Sequence, residues 1–186
     1  MSTSHNIVSI TEFIHRHIDR RPKPYLPAIT MHPIIKRPQI LATSCKARLI
    51  IGRAGPFYDY DDDAICMPSP VFYTLARVFR RPKTFALVAL HEITHWSGAR
   101  NRLDRPRFKE KFDPTYIKEE LVAELGSALL CHDLAITSRP TLPHAAYLNR
   151  YLAVSTNPRV DLAVALSHAQ MAAAYLVASA RHRLPN

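Results

Sequence analysis

The strongest constraint in this sequence is the pattern H-E-x-x-H, which spans His91 to His95 inside the apolar run Lys83–Trp96. On an α-helix, residues four apart lie one above the other on the same face, so both imidazoles can reach one metal ion. Glu92 is one step round the helix, within reach of a water on that ion. Unpaired polar groups on so apolar a helix would be costly, and metal ligation gives them a role. The pattern therefore predicts a metal site on a mostly buried helix.

Two histidines do not complete a catalytic zinc site, which usually takes three protein ligands and a water. Asn101 is one candidate, because H-E-x-x-H-x-x-G-x-x-N imitates the metzincin pattern, but an amide is a poor zinc ligand. His144 is a second candidate, in a helix predicted further along the chain. Glu120 is the third, and we favour it for its position on a helix suited to pack against the motif helix.

Glu120 and Glu124 are four apart and share one helix face. Residues 126–128 are glycine, serine and alanine, which would let this helix pack closely against the motif helix. Glu120 would then ligate the metal, while Glu124, one turn on, would accept the ring N–H of a ligand histidine. Glu119 is about 100° round the helix and is expected to face solvent.

The remaining patterns predict a mostly helical α+β fold with a small antiparallel sheet. Apolar periodicity and capping residues predict helices over Asn6–Arg20, Ser69–Arg80, Pro82–Gly98, Asp113–His132, Thr141–Val154 and Asn157–Arg181. Short β-prone runs predict strands over Arg48–Ile51, Phe57–Tyr60 and Ala64–Met67. The proline-rich stretch Arg21–Pro38 is expected to be irregular. We therefore predict a basic, proline-rich extension with a short helix over residues 1–45 and one folded domain over residues 46–186.

The composition, 47% apolar and 22% charged over 186 residues, fits a folded globular chain. No run reaches the roughly 18 apolar residues that a transmembrane helix needs, and the N-terminus lacks the pattern of a secretory signal. The three cysteines form no C-x-x-C pair and are expected to be buried and reduced. We therefore expect a cytoplasmic protein with no membrane partner.

Positive charge is concentrated near the N-terminus, where residues up to Gly55 contribute +7 of the net +10. A second basic cluster runs from Arg100 to Lys111. Such clusters attract polyanions, nucleic acid above all, although a solvated surface accounts for the same charges. The candidate polyanion-binding residues are Arg21, Lys23, Arg102 and Arg107.

Several sequence blocks occur together over roughly residues 47–176. The main blocks are His91–Gly98 (HEITHWSG), Arg102–Arg105 (RLDR) and Glu119–Gly126 (EELVAELG), with supporting stretches at Gly55–Tyr58, Ala64–Pro68 and His144–Tyr147. This combination resembles the metallopeptidase domain of ArdC-type antirestriction proteins, one of the zincin-like domains of phage and plasmid polyvalent proteins. The resemblance implies a gluzincin-like zincin fold, zinc on His91, His95 and Glu120, and Glu92 as the general base.

The expected reaction is zinc-dependent hydrolysis of a peptide bond in a protein or peptide substrate. Glu92 would accept a proton from a zinc-activated water and pass it to the leaving amine. Tyr116 and His144 are candidates for stabilising the oxyanion or binding substrate. We expect the activity to belong to antirestriction by mobile elements or phages, or to the processing of host proteins.

Two alternatives make different predictions. A non-proteolytic, zinc-containing antirestriction or DNA-associated protein would show salt-sensitive DNA affinity that survives replacement of Glu92. ArdC-type proteins carry an N-terminal single-stranded-DNA-binding domain, whereas residues 1–45 are basic and proline-rich, so nucleic acid would be bound through them and the Arg100–Lys111 loop. A helical interaction protein with a chance motif would bind no metal.

Overall fold

The computed structural model describes residues 36–68, 82–108, 110, 113–137 and 142–181. In these ranges the elements are helix α1 (Lys36–Ser44), strands β1 (Arg48–Ile51), β2 (Phe57–Asp59) and β3 (Ala64–Met67), and helices α2 (Pro82–Ser97), α3 (Pro114–Asp133), α4 (Leu142–Leu152) and α5 (Pro158–Arg181). This confirms the predicted α+β fold, in which helices predominate. The predicted helices Asn6–Arg20 and Ser69–Arg80 lie outside the described residues.

The sheet is mixed, not antiparallel as predicted. Its strand order is β1-β3-β2, with β3 parallel to β1 and antiparallel to β2. Local patterns correctly indicate the β2–β3 hairpin but do not say on which side the hairpin joins β1. All four residues of β3, Ala64–Met67, are buried, so β3 takes the centre of the sheet and β2 becomes an edge strand. The edge strand β2 lies against α2.

Helices α2 and α3 pack closely, as the small residues of α3 predict. A Cβ atom added at Gly126 would lie only 2.5 Å from Cγ2 of Thr94. One residue further on, the Ser127 hydroxyl donates a hydrogen bond of 2.8 Å to the carbonyl of Leu87. Asp113 caps α3 as predicted, because its side chain accepts a 2.6 Å hydrogen bond from the Tyr116 amide. These contacts fix the position of α3 along α2.

Helix α1 belongs to the packed body, so the folded domain begins before the predicted boundary at residue 46. Leu41 and Ala42 are 3% and 0% exposed. The Arg37 guanidinium donates to two carbonyls at the C-terminal end of α3, at 2.5 and 2.7 Å. The prolines had suggested irregular backbone as far as Pro38, but proline is tolerated in a first helical turn, where amides have no helical partner.

Helix α5 has the length and apolar composition of a membrane-crossing helix over Pro158–Ala180, although it contains no unbroken run of about 18 apolar residues. Its many alanines make it apolar without an unbroken run of large side chains. Its inner face packs on α2 and α3, where Ala165, Ala169, Ala173 and Leu176 are at most 1% exposed. The inner face of α5 is therefore part of the core, while Val160, Val164 and Met171 on the same helix are exposed.

The core forms where α2, α3 and α5 meet beneath the sheet. Its large, fully buried side chains come from the sheet and from α2, α3 and α4, and include Ile65, Phe85, Leu90, Leu121 and Leu148. The three cysteines are buried and free, as predicted.

Candidate metal centre

Three side chains from two helices converge beside the edge strand β2. His91 and His95 come from α2 and Glu120 comes from α3, and one ligand atom of each lies within 4.8 Å of the others. His95 is buried, while His91 and Glu120 are partly exposed. The close packing of α2 on α3 thus brings together the residues that the sequence analysis favoured as ligands. Imidazole and carboxylate groups in this number suit a site that leaves a position open for water.

The two imidazoles face each other through their Nε2 atoms, which are 3.1 Å apart. Their Nδ1 atoms point away, that of His91 to Glu124 Oε1 at 3.2 Å and that of His95 to Glu119 Oε1 at 3.0 Å. An ionised carboxylate only accepts hydrogen bonds, so each Nδ1 carries a proton, and a ring that is neutral then has its lone pair on Nε2. Two neutral rings at this separation would repel each other through these lone pairs unless they shared a proton or a metal ion. The contact of His91 with Glu124 is the one predicted from sequence.

Negative charge surrounds the two imidazoles. Burial alone would lower the pKa of His91, but hydrogen bonds to Glu120 and Glu124 raise it well above its ordinary value. Burial alone would raise the pKa of Glu120, but the hydrogen bond from His91 and the charge of His95 lower it to about 2. Both shifts have one cause, a site that favours added positive charge. The donor set and its electrostatics therefore fit a divalent metal ion.

Glu92 lies beside the two histidines and is 7% exposed. Its carboxylate accepts a hydrogen bond from the backbone amide of Tyr58, which fixes it between α2 and the edge strand β2. Burial raises the pKa of Glu92, and the nearby His91 and His95 oppose that rise. A buried carboxylate in this position can exchange a proton with a group bound at the site.

Glu119 is buried, at 5% exposure, and the expectation that it faces solvent is wrong. Its carboxylate bonds to the His95 ring and forms a bidentate pair with Arg105, whose Nε and Nη2 atoms both lie 2.8 Å from the carboxylate oxygens. Burial alone would raise the pKa of Glu119, but the hydrogen bonds from Arg105 and His95 lower it. Since α3 contacts protein on several sides, a residue about 100° from Glu120 is still buried.

Two tyrosines lie next to Glu120. The Tyr151 hydroxyl, from α4, donates a 2.9 Å hydrogen bond to Glu120 Oε2. Tyr116 lies one turn before Glu120, its ring centroid 6.2 Å from that of Tyr151, and burial together with Glu120 raises its pKa. Phe108 extends this aromatic row, with its ring centroid 5.0 Å from that of Tyr116. Tyr116 thus lies where the sequence analysis placed it, and its role as an oxyanion donor stays a prediction.

The other two candidates for third ligand have different positions. Asn101 is exposed in the turn after α2. His144 lies in the first turn of α4, and its side chain is outside the described part of the structure.

The basic loop after α2 contains both buried and exposed cations. Arg102 is 6% exposed and pairs with Asp63, with a distance of 2.9 Å from Nη1 to Oδ2, and its guanidinium covers the Trp96 ring at 3.9 Å. Arg107 is 59% exposed and pairs with Asp61, which is 86% exposed. Arg107 is therefore accessible to solvent, whereas Arg102 joins the loop to the β2–β3 turn. Arg21 and Lys23 lie outside the described residues.

Glu119, Arg105 and Tyr151 belong to this site but were not predicted as parts of it from sequence. The neighbouring Glu119 and Glu120 offered a weak signal, because an acidic pair on an apolar helix needs partners on both of its faces. Arg105 appeared only in a basic cluster and in the RLDR block, with no role of its own, and Tyr151 had no distinguishing pattern. Their roles depend on how α4 and the loop after α2 pack against α3, which local periodicity does not encode.

An H-E-x-x-H helix beside an edge strand, with a glutamate from the next described helix, is the arrangement of a zincin. The chain belongs to the zincin-like metallopeptidase family, which it matches over residues 37–179. This range contains both helices of the site and begins within α1.

Its relatives are longer proteins. It is 28% identical over 166 residues to the uncharacterized protein y4eC of Sinorhizobium fredii, covering 89% of this chain and 52% of that protein. It is also 31% identical over 119 residues to DNA primase TraC of Escherichia coli, covering 63% of this chain but only 8% of the primase. The chain therefore spans about half or less of the curated relatives it matches.

Solved structures of the antirestriction protein ArdC from plasmid R388 share the fold. The Mn(II)-bound form has a TM-score of 0.61 and 26% identity, covering 83% of this chain and 55% of ArdC. The metal-free form has a TM-score of 0.58 at the same identity, covering 84% and 53% of the two chains. ArdC thus has the fold of this chain and has been solved with and without a divalent metal.

Proposed function

We propose that this protein is a zinc-dependent metallopeptidase that hydrolyses a peptide bond in a protein or peptide substrate. The observation that carries the proposal is the facing pair of Nε2 atoms of His91 and His95, 3.1 Å apart, with both Nδ1 atoms bonded to carboxylates. This arrangement leaves two lone pairs for one cation, and Glu120 supplies the third donor. Two imidazoles and one carboxylate form the ligand set of a catalytic zinc, although the related ArdC structure contains Mn(II).

The bound ion would supply Lewis-acid activation of a water and of the scissile carbonyl. Glu92 is the proposed general base, since it is buried beside both histidines and held by the Tyr58 amide. It would accept the proton of the water as the oxygen attacks the carbonyl carbon, and then return that proton to the amine as the C–N bond breaks. Tyr116 and His144 are the proposed oxyanion donors. We place this activity in the cytoplasm.

The edge strand β2 offers a place for the substrate backbone. Its partner β3 lies along one edge, and the backbone amide of Tyr58 in β2 bonds to Glu92 of α2. An extended peptide that pairs with such an edge would run past the base and the proposed ligands.

The test is the conservative change Glu92→Gln, with Glu110→Gln in the exposed loop as the matched control. We expect Glu92→Gln to retain its metal, measured by elemental analysis of protein purified without added zinc. Cleavage of labelled casein and of host-cell proteins should fall about 10²-fold or more, since general-base catalysis contributes roughly that much. Undiminished cleavage by the Glu92→Gln variant would sink the mechanism, and absence of metal from the wild type would sink the metal site.

A second candidate function is antirestriction or DNA association without proteolysis. The observation in its favour is the similarity to ArdC, described as an antirestriction protein, together with the concentration of positive charge before residue 56. It predicts binding to a fluorescent single-stranded oligonucleotide that weakens steeply with salt. Replacing Arg21, Lys23 and Arg107 by glutamine should weaken binding, while Glu92→Gln should leave it unchanged. Salt-independent binding, or no binding at low salt, would exclude this function.

A further inference from the structure

The carboxylate of Glu119 connects a metal-site histidine to a buried arginine. Glu119 Oε1 is 3.0 Å from His95 Nδ1 and 2.8 Å from Arg105 Nη2, while its second oxygen is 2.8 Å from Arg105 Nε. The side chains of Glu119, Arg105 and His95 are 6%, 5% and 8% exposed. A hydrogen-bonded chain therefore runs from the guanidinium to the far side of the His95 ring.

Arg105 is fixed to the last turn of the motif helix itself. Its Nη2 donates a 2.7 Å hydrogen bond to the carbonyl of Thr94, and its Nη1 donates a 3.0 Å hydrogen bond to the hydroxyl of Ser97. The guanidinium also lies against Gly98, where an added Cβ would come within 2.6 Å of Nη2. These contacts hold the guanidinium in a fixed place relative to the backbone that carries His95.

The tautomer and the orientation of the His95 ring depend on this hydrogen-bonded chain. Nε2 remains free to bind a metal only if Nδ1 keeps the proton, and Nδ1 keeps it while an anionic acceptor lies opposite. The bidentate guanidinium holds Glu119 in that position and satisfies its remaining lone pairs in a buried environment. A rotated Glu119 would leave the His95 ring free to change its tautomer and its rotation about χ2.

We propose that Arg105 is a positioning residue of the metal centre, acting through Glu119 to hold the His95 ring with Nε2 directed at the metal. This inference rests on the metal site of the proposed function and adds two residues to it. It also gives Gly98 a role, because the space next to that glycine is filled by the Arg105 guanidinium.

The chain contains a matched control for a purely structural role. Arg102 is in the same loop and equally buried, pairs with the carboxylate of Asp63, and donates to the backbone of α2 at the Trp96 carbonyl. In contrast to Arg105, its carboxylate partner bonds to Tyr58 and not to a metal-site histidine. Replacing either arginine by methionine removes one buried guanidinium, so both variants should lose thermal stability in the presence of EDTA. Metal affinity should distinguish them.

The experiment titrates the full-length apo protein with Co2+, following its visible absorption, and with Zn2+ in competition with a chromophoric chelator. We expect Arg105→Met and Glu119→Gln to weaken metal binding by about 10- to 100-fold and to alter the Co2+ spectrum, as is typical when a partner of a ligand histidine is lost. Arg102→Met should stay within about threefold of the wild type. Gly98→Ala should weaken binding in the same direction, and Arg105→Lys should recover part of the affinity.

The titrations distinguish a positioning role of Arg105 from general destabilisation and from the absence of a metal site. If wild-type protein binds metal and Arg105→Met binds it equally well, the positioning role is refuted while the proposed function stands. Equal losses for Arg102→Met and Arg105→Met would also refute it, because the effect would then be general destabilisation. If the wild type binds neither ion, the proposed function fails and this inference fails with it. Should Arg105→Met not fold, Glu119→Gln and Gly98→Ala decide the question by the same titration.

Discussion

Glu119 and Glu120 are neighbours in the chain but contact different atoms of the histidine pair. Glu120 turns towards the two Nε2 atoms, with its Oε2 3.4 Å from that of His91, whereas Glu119 turns towards the Nδ1 atom of His95. The rotation of about 100° between successive helical residues separates them. Glu119 is buried and Glu120 is partly exposed, and each carboxylate is compensated by hydrogen bonds from the side chains that face it. The two side chains thus approach the histidine pair from different directions.

A second residue-scale feature is the Asp63–Arg102 pair, which predicts a dependence of stability on pH. Hydrogen bonding to Arg102 and Tyr58 lowers the pKa of Asp63 below its ordinary value, against the effect of burial. A depressed folded-state pKa means that the stabilisation is present above the unfolded pKa of about 4 and is lost as pH falls through the folded pKa. Asp63→Asn should therefore lower the free energy of unfolding at pH 7 by about 1 kcal/mol, because the Asp63 side chain is half exposed.

Urea unfolding of wild type and Asp63→Asn at pH 7 and near pH 3 measures this difference, which should shrink at the lower pH. Asparagine tolerates the positive φ of Asp63, 45°, so backbone strain should not contribute. Asp61→Asn is the control, since Asp61 is 86% exposed and pairs with the exposed Arg107. A difference between wild type and Asp63→Asn that stays constant across this pH range would contradict the assignment.

At the scale of elements, the site depends on how closely α2 and α3 approach. The side chain of Thr94 occupies the space above Gly126, and Thr94 also donates to the carbonyl of Leu90 within α2. Along α3, Gly126 lies two residues after Glu124 and six after Glu120, so a shift of the helices would move the proposed ligands relative to one another. The geometry of the site therefore depends on the spacing between α2 and α3.

Gly126→Ala should destabilise the protein by about 1–3 kcal/mol, because the new methyl group overpacks against buried side-chain atoms of Thr94. Removing those atoms in the double variant Gly126→Ala/Thr94→Ala should recover most of the loss, which a double-mutant cycle measures as a coupling energy. Thermal or urea unfolding in EDTA isolates this packing effect from metal binding. Additive effects of the two changes would show that the helices accommodate the methyl group by another movement.

At the scale of the whole molecule, the proposed centre links parts of the chain that are distant in sequence. α2 and α3 supply the ligands, β2 holds Glu92 through Tyr58, and α4 supplies Tyr151. An ion bound at this centre would therefore stabilise contacts among all four elements.

Zinc should raise the melting temperature of the apo protein. An ion at 100 times its Kd stabilises the folded state by about 2.7 kcal/mol, which corresponds to roughly 5–10 °C for a chain of this length. Differential scanning fluorimetry with EDTA and then with added zinc measures the shift. His91→Gln should abolish it, while His168→Gln in α5 should retain it, and a full shift in His91→Gln would place the ion elsewhere.

The sequence by itself determined the local features of this protein. The spacing of His91 and His95 and of Glu120 and Glu124 is fixed by helical geometry, and the capping of α3 by Asp113 depends on adjacent residues. The family resemblance rested on short blocks within single elements, and the match to the zincin-like metallopeptidase family confirms it. All of these properties act over a few residues along the chain, so their patterns are visible without the fold.

Only the tertiary structure decided the position of β3 between β1 and β2, the inclusion of α1 in the core, and the burial of Glu119 by Arg105. Each depends on which surface of one element covers another. Such choices minimise exposed apolar area and unpaired buried charge over the whole chain, which local periodicity does not report. The H-E-x-x-H motif predicted the two histidines, and the packing of α3 against α2 determined their hydrogen-bond partners.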